Sequence, residues 1–281
     1  MKKVQKGTAA PQRAVGFVGS GNMAAALIKG LTGVGLYRGE QILTSDVDAP
    51  KLAALRRRFK VGTTADNAAL VRETKVVVIA VKPQIIDVVL AQMRPAVTPQ
   101  KLFVSIAAGV TTARLEAGLG VDARVLRVMP NTPALLGKGM SVLVRGRYAT
   151  PTDVRLGVRL LSAVGRAIAV EDERLLDPVT GLSGSGPAYL YLFAEALIAG
   201  GVASGLPNAL ATELALQTLT GAAAMLQETG ETPAALRAMV TSPGGTTLAG
   251  LSELERRGFK DAVMAAVIAA TRRSVELGRK V

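Results

Sequence analysis

Near the carboxyl end, Ser242-Pro243-Gly244-Gly245-Thr246-Thr247 sets a glycine pair directly before a helix-forming stretch, in a chain with no histidine and no cysteine. Exposed backbone N–H groups at a helix start attract anions, so this loop can hold a carboxylate without lysine or arginine. A hydroxyl at Thr247 can then face whatever is bound. Without histidine the commonest general base and most zinc sites are gone, and without cysteine so are disulfides, thiolate nucleophiles and thiolate metal sites. No metal centre is expected, and the lack of cysteine agrees with a reducing compartment.

At the other end, Ala14-Val15-Gly16-Phe17-Val18 reads as a short apolar strand running into Gly19-Ser20-Gly21-Asn22-Met23-Ala24 and then a helix. In a G-x-G-x-x-A turn the first glycine permits the tight turn and the second lets a pyrophosphate approach the backbone. The small Ala24 lets helix and strand pack closely. The sequence context favours a dinucleotide site over an ordinary glycine-rich turn. Asp46 stands where an acidic residue would accept from an adenosine ribose, which favours NAD. Against it, Ser45 and Asn67 are placed to approach the same ribose, and Arg56, Arg57 and Arg58 add positive charge or form a solvated face. The preference leans to NADP(H), with NAD(H) left open.

The elements that must position these residues follow from apolar runs. Gln41–Thr44, Val76–Val81, Leu102–Ile106 and Arg124–Met129 read as strands, with helical stretches such as Pro50–Phe59 between them. Strands apolar throughout are covered on both faces, which predicts a doubly wound, Rossmann-type parallel sheet with ligands at the carboxyl ends of its strands. Those ends carry Ser45, Lys82-Pro83, Ala107-Ala108-Gly109 and Pro130-Asn131-Thr132-Pro133. After a last short strand at Arg166–Val170 the composition becomes helical. Glu171–Thr180 reads as a helix, Gly181–Pro187 as a hinge with Ser185 starting the next helix, and Ala/Leu-rich helices follow. The expected organisation is a flexible basic lead over residues 1–13, a dinucleotide-binding domain over 14–170 and an all-helical domain over 171–281.

The 281-residue chain carries a formal charge of +13, to which Lys2, Lys3, Lys6 and Arg13 contribute with no acid nearby. Nucleic-acid binding is not expected, because aromatics are only 3% and the basic residues are scattered. Attraction of anionic metabolites fits better. Residues 2–13 lack the apolar core of a signal peptide, which predicts a cytoplasmic protein. Pro187–Leu206 is nearly long enough to span a bilayer, but Glu195 lies mid-segment and Gly200, Gly201, Gly205 and Pro207 close it as a soluble helix closes. Helices such as Ala209–Met225, charged only at Glu213, are apolar on more than one face. That surplus predicts a twofold homodimer.

Taken together, Gly16–Ala24, Ala80-Val81-Lys82-Pro83, Ser105–Gly109, Met129–Pro133, Gly181–Tyr189 and Val240–Thr247 resemble the pyrroline-5-carboxylate reductases over most of the chain. The resemblance implies hydride transfer from NAD(P)H to the C=N carbon of 1-pyrroline-5-carboxylate, giving L-proline in the last step of proline biosynthesis. It implies that Ser242 to Thr247 is the substrate loop, with backbone N–H groups around Gly244, Gly245, Thr246 and Thr247 binding the substrate carboxylate. The resemblance further implies that the Thr247 hydroxyl bonds the ring nitrogen and relays its proton; the alternative is a residue that only caps its own helix. Glu173 matches an acidic residue that faces substrate, against a solvated helix charge. The matching cofactor positions are Val18, Gly19, Ser20, Gly21, Asn22, Met23, Ser45, Asn67, Ala80, Val81, Lys82 and Ala108, with Lys82 either attracting a phosphate or ending its strand. The side-chain contacts of Thr246 and Met239 are left open, as are assembly beyond a dimer and feedback by proline. Two rivals remain. A beta-hydroxyacid dehydrogenase needs a lysine in its helical domain, and none occurs between Arg174 and Arg257. A scaffold that binds NADP without turnover would bind the cofactor yet not oxidise it.

Overall fold

Residues 13–120 and 122–280 are described by a computed structural model; the expected basic lead, with Lys2, Lys3 and Lys6, lies outside them apart from Arg13. They form two compact units, residues 13–184 with 270–280, and residues 185–269. In the first, β1 (Arg13–Val18), β2 (Ile42–Ser45), β3 (Gly62–Thr64), β4 (Thr74–Ile79), β5 (Leu102–Ser105), β6 (Arg124–Met129), β7 (Gly139–Arg145) and β8 (Gly165–Ala169) make one sheet. Its order is β3-β2-β1-β4-β5-β6-β7-β8. All neighbours run parallel except β6 and β7. The doubly wound Rossmann-type sheet expected from the apolar runs is therefore present.

Alternation explains how continuous apolar strands bury both faces. Val76 and Val78 join one core with Val15, Phe17, Leu102 and Val104, whereas Val77 and Ile79 join the other with Val18 and Phe103. The helices α1 (Asn22–Gly33), α2 (Ala49–Phe59), α3 (Asn67–Glu73), α4 (Ile86–Met93), α5 (Thr112–Leu119), α6 (Pro151–Leu161) and the short α7 (Leu176–Val179) connect the strands and cover the sheet. Their starts are written locally: Asp48, Asp66, Thr111 and Thr150 each accept from a backbone N–H of the first turn. Arg13 belongs to β1, not to the lead. It donates to the Ile42 carbonyl at 3.2 Å and lies 3.7 Å from Glu73, so it does have an acid nearby.

β3 and β7 escape the sequence reading. β3 is a three-residue edge strand of half-buried residues. β7 is the point at which the sheet reverses direction, and it follows the turn at Gly137, a residue in left-handed backbone with φ +71°.

Past β8, the expected helix over Glu171–Thr180 is a 3-10 turn at Glu173–Leu175 followed by α7. The expected hinge is not a break: Thr180–Gly184 forms a π-helical turn that runs on into α8 (Gly186–Ala203), and Ser185 sits in helical backbone with no capping bond. A wide turn frees backbone carbonyls, and here Thr180 and Ser183 donate to those of Leu176 and Val179 at 2.7 and 3.1 Å. Asn131 fastens the same turn, donating to the Ser183 carbonyl at 3.1 Å while accepting from the Met140 N–H at 2.8 Å. Leu176 is buried against Val142 and Val144, so the chain leaves the first unit only after Gly184, beyond the shift in composition near residue 170.

The second unit holds α8, α9 (Asn208–Glu228), α10 (Pro233–Met239) and α11 (Thr246–Arg256). α12 (Phe259–Lys280) begins there and ends in the first unit. Within the second unit, α8 packs on α9 where Gly201 approaches Ala211, and the Phe193 and Phe259 rings lie 5.8 Å apart.

Candidate active site

β1 ends where Gly19 takes up φ +98°, a conformation that penalises any Cβ. A Cβ there would also stand 2.5 Å from the Ala80 carbonyl oxygen at the end of β4. Gly21 differs: it has extended backbone, and nothing lies within 4 Å of where its Cβ would be. It opens into a cleft of about 940 Å³ at the carboxyl ends of β1, β2 and β4. Of the positions matched to the cofactor, Val18, Gly19, Ser20, Gly21, Ser45, Asn67, Ala80, Val81 and Lys82 line this cleft. Asn22 and Met23 begin α1 and do not line it, and Ala108 lies exposed on the loop after β5. Lys51, Asp66 and Gln92 line it without having been foreseen, because no sequence motif marks them.

Asp46 lies at the cleft but its carboxylate is engaged by the turn itself. It accepts from the Ser20 N–H at 2.7 Å, the Ser20 hydroxyl at 2.6 Å and the Asp48 N–H at 2.9 Å. Partial burial pushes its carboxyl up, but these bonds and the charge of Lys51 outweigh that and hold it below the usual carboxylate range. The residue read as a ribose acceptor is thus a brace for the glycine turn. Ser45 and Asn67 are also coupled, the serine hydroxyl donating to the Asn67 side-chain oxygen at 2.6 Å and Asn67 donating to Gln92 at 2.7 Å. The arginine run does not reach this cleft. Arg56 and Arg57 line a separate groove with Arg13 and Lys60, and the Arg58 guanidinium sits 5.0 Å above the Phe59 ring.

Glu173 is no solvated charge. It accepts from the Thr112 N–H at 2.9 Å, the Thr112 hydroxyl at 2.6 Å and Arg127 at 2.8 Å, and the Arg127 side chain is only 8% exposed. Burial pushes the Glu173 carboxyl up, yet the bonds from Arg127 and Thr112 carry it below its ordinary value. A carboxyl depressed in the folded state stabilises at neutral pH, and that contribution is lost as pH falls through the depressed value.

In the second unit, Gly244 has φ +72° and the Gly245 N–H donates to the Ser242 carbonyl at 3.0 Å. Gly245 precedes α11 in extended backbone, and no side chain caps the helix. Thr246 and Thr247 are its first two residues, and both are exposed. The N-cap position belongs to Gly245, so Thr247 is not the capping residue of this helix.

Family comparisons agree with this layout. A model for pyrroline-5-carboxylate reductase dimerisation matches residues 173–277, and one described as NADP oxidoreductase coenzyme F420-dependent matches residues 14–109. A pyrroline-5-carboxylate reductase of Methanosarcina acetivorans is 44% identical over 95% of this chain and 98% of its own length. The chain belongs to the pyrroline-5-carboxylate reductase family. A second member, from Pisum sativum, is 44% identical over 94% of this chain and 95% of its own. The solved structure of the Coxiella burnetii enzyme superposes with a TM-score of 0.89 at 36% identity, covering 95% of this chain and 98% of that one. The Plasmodium falciparum enzyme, solved with NADP bound, gives 0.85 at 32% identity, covering 96% and 100%. Membership of this family sets aside the beta-hydroxyacid dehydrogenase rival, and the dimerisation match supports the expected homodimer.

Proposed function

We propose that this chain reduces 1-pyrroline-5-carboxylate to L-proline with NADPH, the reaction of the family to which it belongs. The observation that carries the cofactor half is the Gly21 opening. A side chain there would fill the space that a pyrophosphate needs at the start of α1, so the cleft fits a dinucleotide. When bound, the reduced nicotinamide supplies a hydride to the C=N carbon. Ser20 and Gly21 present the turn to the pyrophosphate, and Lys82, exposed at the cleft rim, is placed for phosphate. With Asp46 committed to Ser20 and Asp48, its carboxylate is not free to select a bare ribose, which supports NADPH over NADH.

For the substrate, the N–H groups that open α11, around Gly244 to Thr247, hold the carboxylate. The Thr247 hydroxyl donates to the ring nitrogen and relays the proton that this nitrogen keeps. Carbon gains the hydride and nitrogen the proton, so the imine becomes an amine with no metal or histidine in the balance. Ser242 shapes the loop by accepting the Gly245 N–H through its carbonyl.

We infer further that the dimer works in the cytoplasm, as a soluble enzyme that binds neither membrane nor nucleic acid and is open to assembly into larger oligomers. Two segments, Glu173–Ala203 and Asn208–Glu228, are long and apolar enough to cross a bilayer, but both lie within the match to the dimerisation model and carry Glu195 and Glu213 mid-segment.

Steady-state assays with pyrroline-5-carboxylate test the reading. NADPH is expected to exceed NADH in kcat/KM by about tenfold or more, whereas cofactor binding without oxidation would favour a scaffold. Gly21→Val is expected to raise the NADPH dissociation constant by about 100-fold while changing folding stability by less than about 1 kcal/mol, since the position is extended and open.

A further inference from the structure

Glu173 faces inward to a helix start rather than outward to solvent. Thr112, whose N–H and hydroxyl it accepts, is the first residue of α5, and Glu173 is reached 61 residues later in the chain. α5 emerges from the loop after β5, which carries Ala107, Ala108 and Gly109. The near end of that loop is fixed by the Ala107 N–H donating to the Ser105 hydroxyl at 3.3 Å. Its far end is fixed by Glu173 through Thr112. Arg127, opposite Ser105 in the register of β5 and β6, supplies the charge that keeps the carboxylate in place from inside the sheet.

We propose that Glu173 is a positioning residue: through Thr112 it fixes the β5–α5 loop, and with it the exposed Ala108 at the carboxyl end of β5. The proposal rests on the reading that the cofactor binds at the carboxyl ends of these strands. A direct role on substrate, as the resemblance implies, is the competing assignment. The local bonding weighs against it, because both Glu173 oxygens already accept and an arginine 2.8 Å away neutralises the field that a cationic imine would feel.

Fluorescence titration with NADPH alone, paired with steady-state kinetics, separates the two. Thr112→Val and Glu173→Gln should each raise the NADPH dissociation constant by about tenfold, the loss of one charge-assisted hydrogen bond. The double variant should bind no worse than the weaker single variant, because both break the same link. Thr112→Ser keeps both donors and should restore binding. KM for pyrroline-5-carboxylate and the pH profile of kcat should not move.

A rise in that KM, or a displaced limb in the pH profile, with NADPH binding unchanged would overturn the positioning role in favour of substrate contact. So would wild-type NADPH binding by Thr112→Val. If Glu173→Gln does not fold with Arg127 left unpaired, the Thr112 pair decides alone. Gly21→Val is the control for the underlying site: normal NADPH binding there would remove the cofactor reading itself, independently of Glu173.

Discussion

Thr247→Ala is expected to lower kcat by about 10²–10⁴-fold, the range that a positioned proton donor contributes. Thr247→Ser should keep most of the activity. Two features make this a test of chemistry rather than of folding. Thr247 is exposed on the second residue of α11, and its hydroxyl makes no capping bond, so its removal leaves no buried group unsatisfied. The melting temperature and the NADPH dissociation constant should stay at wild-type values. The loss should fall on kcat and kcat/KM together, because a bond to the ring nitrogen strengthens as that nitrogen becomes an amine. An unchanged kcat would remove Thr247 from the mechanism and leave the helix start as a carboxylate holder only.

The parts of this protein legible in its sequence are those whose cause is local. β1 and the glycine turn could be read because a tight turn requires Gly19 and a phosphate approach requires Gly21, and neither depends on distant residues. Strands such as β4 could be read because burial on both faces demands unbroken apolar runs. What could not be read depends on partners far along the chain. The role of Asp46 turned on Ser20, 26 residues away, and that of Glu173 on Thr112 and Arg127. From spacing alone Asp46 fits a ribose acceptor, and only its bonding shows it bracing the turn. The π-helical turn was hidden because Gly181, Ser183 and Gly184 are helix-weakening residues, and the bonds that hold it come from Asn131, which donates to the Ser183 carbonyl, and from the hydroxyls of Thr180 and Ser183, which donate to the carbonyls of Leu176 and Val179. Nor did sequence distinguish the arginines of α2, whose direction depends on helix phase.

Charging the apolar faces of α8 and α9 is expected to break the dimer outright. In the second unit the buried side chains, among the described residues, are Ala211 and Ala215, while Leu192 is 68% and Leu214 49% exposed in the single chain. Covering a leucine side chain is worth about 1.5–3 kcal/mol, and a twofold axis counts each position twice. A Leu192→Glu, Leu214→Glu double variant would instead place four carboxylates against apolar surface, each costing on the order of several kcal/mol unless paired. Light scattering should therefore report twice 29.0 kDa for the wild type and a monomer for the variant. Because so little of this unit is buried within one chain, loss of the partner should also weaken its helices, seen as a lower melting temperature and reduced helical circular dichroism. For the wild type, a tenfold rise in protein concentration should stabilise the folded dimer by about 1.4 kcal/mol. Val34→Glu, at a position 64% exposed in the first unit, is the control that should change none of these. A double variant that remained dimeric would mean that the subunits meet elsewhere and that these leucines serve another surface.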